Sequence, residues 1–173
     1  MSTVSRSAGG SKVTQAEAEQ FLFNEVRLLD QRRYQEWRDL FGEKGLYWVP
    51  VNDTDADPTI NCSVIYACGQ QLDDRLTRAE SSYFWADQPP IKSVHTVSNI
   101  SVDVMGEQLV QILANQVIYL FRENDQRRDS PLEILPATSE YKLAKHAGEW
   151  QITYKKLAFL QADGYLPLLP AFV

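Results

Sequence analysis

The sequence predicts an α+β fold, with helices first and an antiparallel sheet after them. Three observations carry this. Apolar residues recur at helical spacing in the first half. From Lys92 onward the period changes to two. The triplet His146-Ala147-Gly148 then makes a tight hairpin between the last two of four long strands. Helices followed by a run of strands predict helices packed on one face of a sheet.

Residues 1–13 are small and polar and read as a flexible N-terminal arm, which leaves 14–173 as a single domain. Thr14 and Glu17 match the capping box that opens a helix, because each side chain can satisfy a free backbone N–H of the other residue. Leu22, Val26 and Leu29 then recur at helical spacing, with Phe21, Glu25 and Leu28 alongside, and this helix should run to about Gln31. A shorter helix is expected from Tyr34 to Phe41, ended by Gly42 and Gly45. Leu46–Val51 is aromatic and β-branched and reads as a strand. Pro50 cannot donate to a ladder, so that strand belongs at an edge or carries a bulge.

Residues 52–61 form an acidic loop, and Gln70 to about Phe84 reads as a third helix, broken after Asp87 by Pro89 and Pro90. In the next strand Val94, Thr96, Ser98, Ile100, Val102 and Val104 alternate against His95, Val97, Asn99 and Ser101. Strands over Leu109–Arg122, within Leu132–Lys145 and over Glu149–Leu160 complete the sheet. The stretch Tyr165–Val173 is too apolar to be left in water, and its prolines forbid a regular helix or central strand. It should dock on its own sheet or on a neighbouring subunit.

Composition narrows the function classes. The 173 residues are 44% hydrophobic and 23% charged, which suits a globular chain. The net charge of −6 disfavours nucleic acid and anionic membranes as partners. The first ten residues hold no apolar run and no window approaches a membrane span, so the expectation is a cytoplasmic protein.

Metal chemistry is poorly supplied. A Rieske cluster needs two cysteines, each with a histidine close behind. Cys62 and Cys68 have no histidine near them, and they read as free thiols in or near a short strand. His95 on a strand and His146 at a hairpin tip are not expected to converge on an iron. Asp53, Asp55 and Asp57 imitate the start of a calcium loop, but Pro58 and Val64 stand where glycine and glutamate are needed. No phosphate-binding glycine loop and no nucleophile elbow is present.

One constellation remains. Asp30 ends the first helix beside Tyr34, and His95 lies on a strand that could face the same pocket. An Asp–His pair can serve as acid and base, the carboxylate holding the imidazole tautomer. The competing reading is structural: a histidine on a half-buried strand satisfied by a carboxylate, or Asp30 paired with Arg32 and Arg33.

Several segments together resemble a known family. E-V-R-L-L-D-Q-R-R-Y-Q-E-W (25–37), L-Y-W-V-P (46–50), Ile65-Tyr66, L-x-x-R-L-x-R (72–78), Pro89-Pro90 and H-T-V-S-N-I-S-V (95–102) follow the order of the small, or beta, subunit of aromatic-ring-hydroxylating dioxygenases, the Rieske non-haem iron oxygenases. The chain departs from that pattern at Ala67 and Cys68, where acidic residues often follow Ile-Tyr, and at Ser93 and Val94, where an arginine often precedes the histidine.

The resemblance implies a cone-shaped α+β fold of the cystatin-like, nuclear transport factor 2-like kind, its curved antiparallel sheet packed on N-terminal helices. It implies a non-catalytic assembly subunit of an oxidoreductase that hydroxylates aromatic rings in aromatic catabolism, with no catalytic residue and no cofactor in this chain. The large (alpha) subunit would hold the Rieske [2Fe-2S] cluster and the mononuclear iron. The small subunit would form a homotrimer within an α3β3 hexamer. Under that reading His95 is structural, with Asp30 a plausible partner. Two alternatives stand beside it. One is a stand-alone dehydratase or isomerase of the same fold using Asp30, Tyr34 and His95. The other is a small-ligand binding protein. One fold hosts many functions. A filled interior would favour assembly, and an open apolar pocket would favour chemistry.

Overall fold

The computed structural model describes residues 13–52, 54, 57–83, 88–123 and 132–173. Residues 1–12 of the expected arm, and Asp53 and Asp55 of the acidic loop, lie outside the described residues. Helix α1 is Gln15–Asp30, and its capping box forms as expected: Thr14 Oγ1 accepts from the Glu17 N–H at 3.2 Å and the Thr14 N–H donates to Glu17 Oε2 at 2.8 Å. Its buried residues include Leu22, Glu25, Val26 and Leu29.

Helix α2 is Tyr34–Asp39, shorter than expected. Phe41, Gly42 and Gly45 do not end that helix but belong to strand β1, Phe41–Pro50. Tertiary pairing explains the difference. β1 lies parallel to the last strand, and a Cβ on Gly45 would come within 2.6 Å of the Ile152 carbonyl oxygen. The glycine therefore permits close strand approach.

Strand β2 is Ser63–Cys68, which places Cys62 just before it and Cys68 at its end, both free. Helix α3 is Gln70–Glu80. It stops short of Phe84 because Ser81 turns extended and its hydroxyl accepts the Tyr83 N–H at 3.2 Å, a local bond that competes with the helix. Phe84 itself lies outside the described residues. Strands β3 (Lys92–Val104), β4 (Leu109–Phe121), β5 (Leu132–His146) and β6 (Glu149–Phe159) follow. The β5–β6 turn has Ala147 at φ 50° and Gly148 at φ 95°, the positive-φ pair of a two-residue hairpin loop.

The six strands form one sheet in the order β2-β1-β6-β5-β4-β3. The β3–β6 meander is antiparallel throughout, and only β1 against β6 is parallel. β1 is therefore interior to the sheet, and Pro50 is accommodated at a register shift between Val49 and Pro50. Of the two options for that proline, the bulge is the one used.

A second irregularity changes which residues of β3 face the core. The β3–β4 register shifts between Ser98 and Ser101, with Asn99 at φ 53°. His95 and Val97 point inward before the shift, and Ile100 and Val102 pack against the core after it, while Val94 is exposed. The simple alternation that groups Val94 with Ile100 and Val102 is thereby corrected: the inserted residue inverts the parity of the strand.

Tyr165–Val173 docks on its own domain, with Ala171, Phe172 and Val173 buried in the common core beside Leu22, Leu72 and Ile152. Among the described residues, no helix is long and apolar enough to cross a membrane.

Candidate functional site

The end of α1 places Asp30 against β3. Its Oδ1 accepts from the Ser93 hydroxyl at 3.0 Å and lies 2.6 Å from His95 Nδ1, while its Oδ2 accepts the His95 backbone N–H at 3.0 Å. At the other end of the helix, Gln15 Nε2 donates to the Ile100 carbonyl at 3.0 Å. The two ties fit one geometry. Gln15 to Asp30 advances ~22 Å at ~1.5 Å per residue, and Ser93 to Ile100 covers ~23 Å at ~3.3 Å per residue. The helix thus lies along the strand and is fixed to it at both ends.

The structure brings Asp30 and His95 together, as their positions predicted. A carboxylate at that distance calls for the proton on Nδ1. The other ring nitrogen, Nε2, is buried and has no hydrogen-bond partner. Beside the pair runs a groove of about 380 Å³ lined by Phe23, Val26, Arg27, Thr96 and Val97 together with Asp30 and His95. Tyr34, the third candidate, is not among the groove's lining residues. Its ring packs 5.3 Å from that of Phe172, with the Arg32 guanidinium 5.4 Å above it. Arg33 pairs with Glu36.

A second polar cluster fills the interior between helices and sheet. Glu25 and Lys155 form an ion pair at 2.7 Å with both side chains 0% exposed. Glu25 Oε1 also accepts from Trp37 Nε1 at 2.6 Å, and its Oε2 accepts from the Tyr141 hydroxyl at 3.2 Å. The Lys155 ammonium lies 5.1 to 5.7 Å from the ring centres of Tyr47, Trp37 and Tyr141, and donates to the Val173 backbone oxygen at 3.1 Å. Gln116 Nε2 extends the network to Tyr141 at 2.7 Å and Ser139 at 3.2 Å.

Burial sets the electrostatics of this cluster. It pulls the Lys155 ammonium below its ordinary pKa, with Glu25 opposing the shift. It pushes the Tyr47 and Tyr141 phenols up, Glu25 adding to the effect on both.

Sequence reasoning missed Lys155 and Val173 and placed Glu25 only as a neighbour of the apolar stripe. A signal existed. Glu25 falls within the buried row of α1, and Lys155 is in phase with Leu157 and Phe159 on β6. Two opposite charges in two inward rows predict a buried pair, because neither is tolerated there alone.

The chain's own ligands do not fit an iron centre or a Rieske cluster. His95 is buried on β3 against Asp30 and His146 is exposed at the β5–β6 hairpin, so the two imidazoles do not converge on one point. Among the described residues, no group of three or more His, Cys, Asp or Glu side chains could hold a metal. Asp57 anchors a local turn, accepting from the Thr59 N–H at 2.8 Å and hydroxyl at 2.6 Å.

Comparison with known proteins agrees with this architecture. The model of the family described as "Ring hydroxylating beta subunit" matches residues 24–163. The 2-halobenzoate 1,2-dioxygenase small subunit of Burkholderia cepacia is 30% identical over 100 residues, which is 55% of this chain and 61% of that subunit. The chain thus spans less than two thirds of that relative's length. The crystal structure of the beta subunit of benzoate 1,2-dioxygenase from Burkholderia mallei superposes with TM-score 0.69 at 21% identity, covering 86% of this chain and 92% of that one. An NTF2-like protein with a cystatin-like fold from Novosphingobium aromaticivorans superposes with TM-score 0.58 at 13% identity, covering 84% and 81%.

Proposed function

This chain belongs to the ring-hydroxylating beta-subunit family, and from that premise we propose that it is the non-catalytic assembly subunit of a dioxygenase acting on aromatic rings in aromatic catabolism. In this reading a large (alpha) subunit holds the Rieske cluster, the mononuclear iron and the substrate. The small subunit is a homotrimer within an α3β3 hexamer in the cytoplasm. Asp30 and His95 order the α1–β3 contact and take no part in chemistry.

The supporting observation is the use already made of the interior and of Asp30. Trp37, Tyr47, Tyr141, Lys155 and Phe172 occupy the space where an enzyme of this fold class would need a cavity, and each is buried. Both Asp30 oxygens accept bonds that tie β3 to α1. A carboxylate so engaged is suited to holding a strand in place.

Co-expression with candidate large subunits, followed by size measurement and a ring-oxidation assay, tests the proposal. The expected result is a stable hexamer whose oxygenase activity requires both chains. A small subunit that stays monomeric at micromolar concentration and joins no large subunit would overturn it.

A further inference from the structure

The edge of the sheet at β3 is closed at two points and open between them. Asp30 takes the His95 N–H at 3.0 Å, and Gln15 Nε2 donates to the Ile100 carbonyl at 3.0 Å. β3 ends the strand order, so β4 is its only neighbour in the sheet. The His95 N–H points away from β4, and alternation along the antiparallel ladder turns the Val97 N–H and carbonyl the same way. Among the described residues no other strand or side chain bonds them. This open stretch faces the groove of about 380 Å³ between α1 and β3, whose lining includes His95, Thr96 and Val97. His95 is 8% exposed as a residue but only 1% in its side chain, so it shows the groove mainly its backbone. On the helical wall stand Phe23, 40% exposed, and the exposed Arg27. Counting back from Asp30 at ~1.5 Å per residue, Arg27 is ~4.5 Å and Phe23 ~10 Å along the axis. Val97 is ~7 Å along the strand from His95 at ~3.3 Å per residue, so Arg27 and Phe23 flank its level. The Arg27 guanidinium has no ion-pair partner among the described residues, whereas the Asp30 carboxylate is taken by Ser93 and His95. The groove therefore presents one uncommitted positive charge, one partly exposed phenyl ring and one free strand edge.

We propose that this groove docks an extended segment of the large subunit that carries a carboxylate side chain. The inference rests on the assembly reading above. The segment bonds its main chain to Val97, the edge addition by which a sheet takes up a peptide. Its carboxylate meets Arg27, and an apolar side chain covers Phe23. The chain itself is a poor source of such a segment. Residues 1–13 contain Arg6 and Lys12 and no acidic residue. A second copy carries the same net charge of −6, and the apolar side chains that could offset the repulsion, Val94, Ile134 and Leu160, lie outside the groove.

The test uses the full chain in three forms: native, Arg27→Glu and Arg27→Lys. Each is titrated with the purified large subunit that the native chain assembles with in co-expression. Residue-resolved amide exchange is followed on the native small subunit alone and in the complex. The expected result is that Arg27→Glu stays folded but binds the large subunit about tenfold more weakly or worse, while Arg27→Lys keeps most of the affinity. The Val97 amide should exchange at least about tenfold more slowly in the complex than alone, whereas the His95 amide, held by Asp30, should be slow in both. An Arg27→Glu chain that binds as tightly as the native one overturns the proposal, as does a Val97 amide that exchanges as fast in the complex as alone. A Val97 amide already protected in the small subunit alone also overturns it, because the groove would then hold this chain's own segment or a second copy. If Arg27→Glu is unfolded, Val97 exchange in the native complex decides alone. A native chain that joins no large subunit overturns the assembly reading, and this inference with it.

Discussion

Asp30 engages His95 twice, through the backbone N–H at 3.0 Å and through ring Nδ1 at 2.6 Å. One carboxylate thereby fixes both the path of β3 and the orientation of the imidazole. The backbone bond anchors the carboxylate to the strand independently of the ring.

His95→Ala should therefore destabilise the fold by ~1–3 kcal/mol, the range for losing a buried hydrogen-bond partner. Oxygenase turnover per correctly assembled complex should stay near wild type. Urea denaturation and turnover measured on the same variant check this. A large fall in turnover with unchanged melting and assembly would overturn the structural reading of His95.

Parts of this arrangement were legible in the sequence because they rest on local rules. Thr14 and Glu17 spell the α1 start, and Asp30 and His95 could be paired because one ends a helix and the other opens a strand. The illegible parts depend on distant contacts. Gly42 and Gly45 look like a helix stop until β6 is known to lie beside them. Asn99 is an ordinary polar residue in an alternating run until its positive φ inverts the faces of β3. Glu25 and Lys155 are 130 residues apart, and each makes sense only with the other.

The Glu25–Lys155 pair yields a sharper energetic prediction. Lys155→Met leaves the Glu25 carboxylate buried without its cation and should cost ~3–5 kcal/mol. Adding Glu25→Gln should recover much of that loss, because the uncompensated charge is removed while the Trp37 indole keeps an amide oxygen to bond. A double-mutant cycle by urea denaturation measures the coupling. Simple additivity of the two losses would show that the pair does not act as a unit.

Acid stability should depend on the capping box. Hydrogen bonds from the Thr14 backbone N–H, and then from its hydroxyl, hold the Glu17 carboxyl below its ordinary pKa. The folded value lies under the unfolded one, so this contribution is complete above the unfolded value and is lost as pH falls through the folded value. Glu17→Gln should be less stable than wild type at neutral pH. The difference should shrink through the acidic range and vanish once folded Glu17 is protonated. Thermal melts of both proteins across that range check the sign.

The bulge in β3 gives a backbone prediction. Asn99 holds φ 53° where the β3–β4 register shifts, and its side chain is exposed, so substitutions there act on conformation more than on packing. The left-handed region costs a residue with an ordinary Cβ roughly 1–2 kcal/mol, and asparagine and glycine enter it most readily. Asn99→Gly should leave stability nearly unchanged. Asn99→Val should lose roughly 1–2 kcal/mol or more, since β-branching adds to the clash. The loss should appear alongside weaker amide-exchange protection at Ile100 and Val102, the two residues whose inward orientation depends on the shift. Equal stability of the valine and glycine variants would mean that β3 can pair without the bulge. In that case His95 and Ile100 could not both face the core from one strand, because five residues separate them and an unbroken strand puts odd separations on opposite faces.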